Sequence, residues 1–331
     1  MYYPLVFESI YKEMVWGGEK LNNIYGRTSP YAHTGESWDI SCRKDEMSIV
    51  KNGEYSGETF LSVINKNVRG FLGENFKNFS DFPLLVKLID ARDFLSVQVH
   101  PGDDYAREKE NYPRGKNEMW YILSAEPESY LIVGLKGGVT KEMFQGAIEN
   151  GTATDCLNKM PVTEGDIINI PAGLIHAIGK GIVLAEVQQN SDITYRVYDY
   201  NRVGLNGEKR ELHIEKSLDV IDFSGKLSTA KVIPSANGGS CSAGNIRECI
   251  KNKYFSINML DLQKDSGKSF IISGNKEFFS IYICVKGSAQ ISWGDGAMLN
   301  VKPGDSVFMP AYLDECAITG GGKFLTASAF C

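Results

Sequence analysis

Histidine is scarce in this chain: there are four among 331 residues, and none between 241 and 331. Any site built from imidazoles therefore has few places to be. The seven cysteines, Cys42, Cys156, Cys241, Cys249, Cys284, Cys316 and Cys331, are odd in number and form no C-x-x-C. That argues against a disulfide framework or a structural zinc knuckle and reads as free thiols in a reducing compartment. No run or stripe of Lys and Arg occurs, and the formal charge is −6. Nucleic acid is thus not an expected partner, and an anion site would have to be local. No stretch of about 18 apolar residues is available to cross a bilayer, so no membrane contact is expected. The opening Met1-Tyr2-Tyr3-Pro4-Leu5-Val6 lacks the basic start and long apolar core of a signal peptide. The expectation is a cytoplasmic protein.

What the chain does have is ordinary soluble composition, 43% hydrophobic and 23% charged, and enough length for more than one core. Short runs rich in Val, Ile, Tyr and Phe, separated by Gly, Asp and Pro, predict strands over 84–88, 94–99, 120–123, 130–133, 167–170, 183–187 and 193–198. The pattern resumes over 254–260, 278–285, 289–293, 306–309 and 324–327. Helical signals are fewer. Phe60, Leu61, Ile64 and Val68 predict a helix over 57–69, Asp103-Asp104 opens one to Glu110, and Thr140 reads as the N-cap of one ending near Glu149. Gly137-Gly138 and Gly320-Gly321-Gly322 read as turns.

A loop or linker is expected at Pro234-Ser235-Ala236-Asn237-Gly238-Gly239-Ser240. It suggests a domain over 1–230 and a second over 231–331. A weak internal repeat relates them: Gly165-Asp166, four strand residues and Pro171-Ala172 match Gly304-Asp305, four strand residues and Pro310-Ala311. Five residues past Pro171 stands His176, whereas five past Pro310 stands Glu315. The second copy is expected to keep the fold and lack a metal site.

Gln98, His100, Glu118 and His176 are a set of nitrogen and oxygen donors whose order and spacing resemble the metal site of a cupin-type β-barrel. In a strand over 94–99, Leu95, Val97 and Val99 share one face, and Ser96, Gln98 and His100 the other. The polar face lines a barrel mouth or meets water. Neutral imidazole and carboxylate suit zinc, iron, manganese or nickel. Glu118 enters an apolar strand beside Met119-Trp120, where a carboxylate needs a partner. Lys87 in its apolar strand needs one too. His33 and His213 receive no role.

The segments Leu85-Val86-Lys87-Leu88-Ile89-Asp90-Ala91, Leu95-Ser96-Val97-Gln98-Val99-His100-Pro101 and Gly115-Lys116-Asn117-Glu118-Met119-Trp120 resemble the type I mannose-6-phosphate isomerase family, short bacterial form. So do Trp16-Gly17-Gly18, Gly35-Glu36-Ser37-Trp38, Pro171-Ala172-Gly173-Leu174-Ile175-His176-Ala177 and Ser191-Asp192-Ile193-Thr194-Tyr195-Arg196-Val197-Tyr198-Asp199. The similarity runs in consistent order from about residue 3 to 215, and ordered motifs of this length are a strong signal. It implies a mainly β fold of two cupin-type jelly-roll barrels with a small helical insertion, the first catalytic and the second degenerate. It also implies an aldose–ketose isomerase that interconverts mannose 6-phosphate and fructose 6-phosphate and carries one Zn²⁺ per chain.

By the same resemblance, Gln98, His100, Glu118 and His176 are the zinc positions. Arg196, Lys116 and Asp192 fall on catalytic positions, and Ser96 and Lys87 where the phosphate is held. Glu36 and Trp16 are candidates for contact with the sugar. The reaction moves a proton between C2 and C1, so an enediolate must be stabilised and a base supplied. Lys116, Asp192 and Glu186 are the candidate bases, and the residues do not choose among them. Glu186 shares a face with Leu184 and Gln188, in the pocket or toward water. Two other classes stay open: a cupin oxidase or dioxygenase using iron, and a sugar-binding barrel without catalysis. The assembly is expected to be a monomer or homodimer.

Overall fold

The computed structural model describes residues 2–227, 231–232, 240–241, 243–263 and 269–330, with the side chains of Ser240 and Cys241 excepted. The expected linker lies, but for Ser240, outside the described residues. The chain is mainly β, as expected, and it divides into two compact units. One holds residues 11–37 and 87–231; the other holds residues 1–10, 38–86 and 232–331. The division near 231 falls close to the expected boundary, but the two earlier segments group with the C-terminal residues. The boundaries fall within the strands Thr34–Ile40 and Leu84–Ala91.

The first unit is a sandwich of two sheets. One has the strand order Ile10–Gly18, Thr34–Ile40, Leu84–Ala91, Ile182–Gln189, Glu118–Ala125, Ile167–Ile170 and Lys231–Val232. The other runs Tyr195–Tyr198, Val97–Val99, His176–Ala177, Tyr130–Leu135 and Leu157–Pro161. Trp16, Ile89, Leu95, Trp120, Leu131, Val133, Ile168 and Leu184 form the apolar filling between them. A second cluster covers the other face of the smaller sheet. There Val97, Val99, Ile175, Ala177, Tyr195 and Val197 pack with Phe144 of helix Lys141–Glu149 and Leu218 of helix Ile214–Val220.

That outer cluster decides which way the polar face turns. Because Val97, Val99, Tyr195 and Val197 point outward under the helices, alternation sends Gln98 and Arg196 inward. Leu184 belongs to the inner filling, so Glu186 and Gln188 point inward as well. The strand expected from residue 94 begins only at Val97, and Leu95 joins the inner cluster instead of sharing the face of Val97.

The second unit is built on an eight-stranded antiparallel sheet. Its long strands Ser280–Trp293 and Glu315–Ala329 pair along most of their length. Gly320-Gly321-Gly322, expected as a turn, lies inside the second of these, opposite Ser288, Ala289 and Gly287. A turn reading fails there because all three glycines pair with the neighbouring strand, and Gly322 pairs with Leu262 on its other side as well. Phe60, Phe82, Phe279 and Phe308 pack ring against ring, and Leu5 exchanges backbone hydrogen bonds with Phe308.

The helix expected over 57–69 is two helices, Phe60–Lys66 and Val68–Leu72. Thr59 caps the first through Ser62 N–H. Asn67, with φ −160° and ψ 85°, ends it and caps the second by accepting from Gly70 N–H. Helices Asp103–Glu110 and Lys141–Glu149 stand where expected, the second capped by the Thr140 hydroxyl accepting from Met143 N–H. Among the described residues no helix is long and apolar enough to cross a membrane.

The internal repeat has a structural counterpart in each unit. Thr163 N–H and Lys302 N–H donate to Asp166 and Asp305, both over 2.9 Å. Gly165 and Gly304 both have φ +94°, a conformation that only glycine adopts without strain. Each turn leads into a four-residue strand, Ile167–Ile170 or Ser306–Met309. His176 is buried where the first copy ends, whereas Glu315 is exposed on a strand paired with Ser273.

Candidate metal centre and surrounding polar groups

Strand pairing assembles the site. His176 is the register partner of Gln98, and Gln98 also faces Arg196 on the next strand. On the opposing sheet Glu118 pairs with Gln188 and Trp120 with Glu186. His100, Glu118 and His176 are each buried, and their ligand atoms lie within 4.8 Å of one another. His100 Nε2 is 3.3 Å from Glu118 Oε1, and His176 Nε2 is 3.9 Å from Glu118 Oε2.

The tautomers follow from what each ring touches. His100 Nδ1 lies 2.9 Å from Ile193 O and His176 Nδ1 lies 2.8 Å from Leu174 O. A carbonyl only accepts, so both Nδ1 atoms carry the proton and both Nε2 atoms carry a lone pair toward Glu118. Lone pairs facing a carboxylate repel. Consistent with this, His100 Nε2 and both Glu118 oxygens make no hydrogen bond among the described residues. Buried acceptors converging from three separate stretches of the chain fit a divalent cation. The fourth candidate, Gln98, brings its Nε2 to 3.3 Å from His176 Nε2, so the amide nitrogen and not the oxygen faces the cluster.

Charges reinforce the arrangement. Burial and the Lys116 ammonium hold the His100 imidazolium from forming, down to about 3. Burial also lowers His176. For Glu118, burial acts upward, but Lys116, His100 and His176 outweigh it and keep the carboxyl well below the usual range. Lys116 Nζ stands 3.1 Å from Glu118 Oε1. Burial and then the charge of Glu118 push Glu186 up to about 7, against the pull of Lys87. Trp120 Nε1–H donates to Glu186 Oε2 over 2.8 Å.

Lys87 has the partners its apolar strand requires. Its ammonium is 3.5 Å from Glu36 and 3.3 Å from Glu186, and the two carboxylates raise its pKa although burial works the other way. Ser96 is buried and accepts from Arg196 Nε over 3.3 Å, while Arg196 Nη1 donates to Glu211 O over 2.8 Å. Trp16 sits in the apolar filling with Trp120 and Leu95. Asp192 is exposed, and its carbonyl accepts from the Thr194 hydroxyl. The strands therefore gather His100, Glu118, His176, Gln98 and Lys116; they place Glu36 with Lys87 and Ser96 with Arg196.

Two groups escaped the sequence reading. Gln189 Oε1 accepts from both Asn117 N–H and Asn117 Nδ2, and Gln189 Nε2 donates to Asp103, which also accepts from Gly115 N–H. Asn117 Oδ1 in turn accepts from Ala172 N–H. This network fixes the backbone on both sides of Lys116, and the pairing of Gln189 with Asn117 gave no local signal. The other group is His213, whose ring accepts from Arg196 N–H over 3.2 Å.

Comparison with known proteins places these residues in a family. The sequence profile of the phosphomannose isomerase type I catalytic domain matches residues 5–128, and that of the mannose-6-phosphate isomerase cupin domain matches residues 245–328. The probable mannose-6-phosphate isomerase GmuF of Bacillus subtilis is 37% identical over 98% of this chain and 99% of its own. A mannose-6-phosphate isomerase of Streptococcus mutans is 44% identical over 69% of this chain and 70% of its own. The crystal structure of a mannose 6-phosphate isomerase from Bacillus subtilis superimposes with a TM-score of 0.87 at 31% identity, covering 98% of this chain and 99% of that one. With relatives of this identity along nearly its whole length, the chain belongs to the type I phosphomannose isomerase family.

Proposed function

We propose that the chain is a zinc-dependent aldose–ketose isomerase that interconverts mannose 6-phosphate and fructose 6-phosphate. The observation that carries the reading is the pair of imidazoles, each anchored at Nδ1, whose Nε2 lone pairs converge on the buried Glu118 carboxylate. Two imidazoles and a carboxylate suit zinc and leave room for water or substrate. Bound there, the dication supplies Lewis acidity to the carbonyl and hydroxyl oxygens of an open-chain sugar phosphate.

The remaining steps belong to the chain's own side chains. Arg196, turned inward beside Ser96, stabilises negative charge as the enediolate forms. Ser96, with Lys87 in its carboxylate clasp, holds the phosphorylated end, and Glu36 and Trp16 border the sugar. Lys116 and Glu186 are the buried candidates for carrying the proton between C2 and C1, and Asp192 is the exposed one. A base poised near neutrality suits that step.

The test is an isomerase assay with and without chelator, together with elemental analysis. His176→Ala is expected to lose metal and turnover together. Full activity of the wild type after exhaustive chelation would refute the reading, as would iron accompanied by oxygen uptake. Comparing pH–rate profiles of Lys116→Met, Glu186→Gln and Asp192→Asn identifies the proton carrier, because only its loss removes the limb it governs.

A further inference from the structure

Gln188 is fully buried, at 0% exposure, and its two amide ends have opposite fates. Nε2 donates to Gln189 O over 2.8 Å and to Ser191 O over 2.5 Å. Two carbonyl acceptors at one end fix the amide's orientation, so Oε1 is the other end. Among the described residues Oε1 has no partner. A buried acceptor without a donor is rare in folded proteins and calls for a group that the protein itself does not supply.

Its place shows what that group is. Gln188 is the direct register partner of Glu118 and lies two residues from Glu186 on the inward face. Cross-strand partners hold their Cβ atoms about 5 Å apart, so Gln188 borders the metal centre. Among the described residues, the other atoms of this region that make no hydrogen bond, His100 Nε2, both Glu118 oxygens and Glu186 Oε1, are acceptors too, and of these Glu118 Oε1 and Glu186 Oε1 face the Lys116 and Lys87 ammoniums. A cation takes the imidazole and carboxylate lone pairs first, because a neutral amide oxygen is the weaker donor to metal. Gln188 Oε1 is then left for a hydroxyl. A sugar phosphate brings several hydroxyls, and each is a hydrogen-bond donor.

We propose that Gln188 Oε1 accepts a hydrogen bond from a hydroxyl of the bound sugar phosphate and so helps to set which sugars the enzyme accepts. This rests on the isomerase reading. The test compares kcat/KM for mannose 6-phosphate with that for its 3-deoxy and 4-deoxy analogues, whose missing hydroxyls take no part in the proton transfer. Wild type and Gln188→Met are measured at matched metal content. The wild type is expected to disfavour one deoxy analogue by about tenfold or more, the size of one hydrogen bond. Gln188→Met is expected to lose about that factor on mannose 6-phosphate, mainly through KM, while handling that analogue nearly as the wild type does. Gln188→Asn, which withdraws the oxygen but keeps an amide, is expected to do the same and serves if the methionine variant does not fold.

Equal losses on parent and analogues would reduce Gln188 to a structural role and overturn the assignment. Loss of bound metal in Gln188→Asn would make it a ligand and also overturn it. Absence of turnover by fully metallated wild type would overturn the isomerase reading and this inference together.

Discussion

His100 touches Ile193 O with one ring nitrogen and faces Glu118 with the other, so its proton has a fixed position. The same holds for His176 on Leu174 O. Folding therefore favours neutral rings, with His100 lowered to about 3 by burial and by Lys116.

That sets the imidazole part of the pH dependence of the chelated protein, which Glu186, raised to about 7, opposes in sign between about 7 and 4.5. In the unfolded chain both rings take up a proton near 6.5, whereas in the folded one they resist it. As pH falls through 6.5 the unfolded state binds more protons, so stability falls. Each resisting ring contributes about 1.4 kcal/mol per pH unit. Glu118, held low, adds a loss of the same sign below about 4.5. Urea unfolding of chelated wild type and His100→Asn between pH 7 and 4 is expected to show a slope shallower by about one proton in the variant. Identical slopes would mean that His100 is not held neutral.

Arg196 depends on a chain of contacts that ends at Asp199. The carbonyl of Glu211 receives Arg196 Nη1, and its neighbour Arg210 is gripped by Asp199 through two bonds of 2.7 and 2.5 Å. Arg196→Ala is expected to keep metal and lose about 10²- to 10³-fold in turnover. Asp199→Asn, which loosens Arg210, is expected to lose about tenfold with metal unchanged, since small misplacements of a charge-stabilising group are expensive. Near-normal turnover in Arg196→Ala would remove that residue from the mechanism.

Gly17 is where two strands meet too closely for a side chain. A Cβ there would lie 2.5 Å from Gly35 N and 2.7 Å from His33 O. Backbone on both sides leaves nothing flexible to give way. Gly17→Ala is expected to lower stability by about 1–3 kcal/mol. A denaturation midpoint equal to the wild type's would show that the strands can separate at that point.

How much of this was readable beforehand depended on whether the signal was local. His100, Glu118 and His176 were legible because imidazole is scarce and the flanking Val97 and Val99 declare which face is which. Thr140 announced its helix because capping is a matter of three residues. Asn67 was missed because a helical apolar spacing continues across it while its own side chain stops one helix and starts the next. Gly320-Gly321-Gly322 misled because pairing with residues 287–289, and not intrinsic preference, decides their conformation. For Lys87 the need for a partner was legible, but Glu36 and Glu186 as a two-carboxylate clasp were not. Gln188 was silent, since nothing in its identity tells that one end of the amide is spoken for.

The backbone bonds between Leu5 and Phe308 carry a consequence for how the molecule is made. During synthesis the fifth residue leaves the ribosome about 300 residues ahead of its partner, and closing so long a loop comes late in folding. The strands around His100, Glu118 and His176 lie within 97–189 and can pair well before then. A nascent chain halted near residue 230 should thus hold His100, Glu118 and His176 together while its first ten residues still wait for a place to dock.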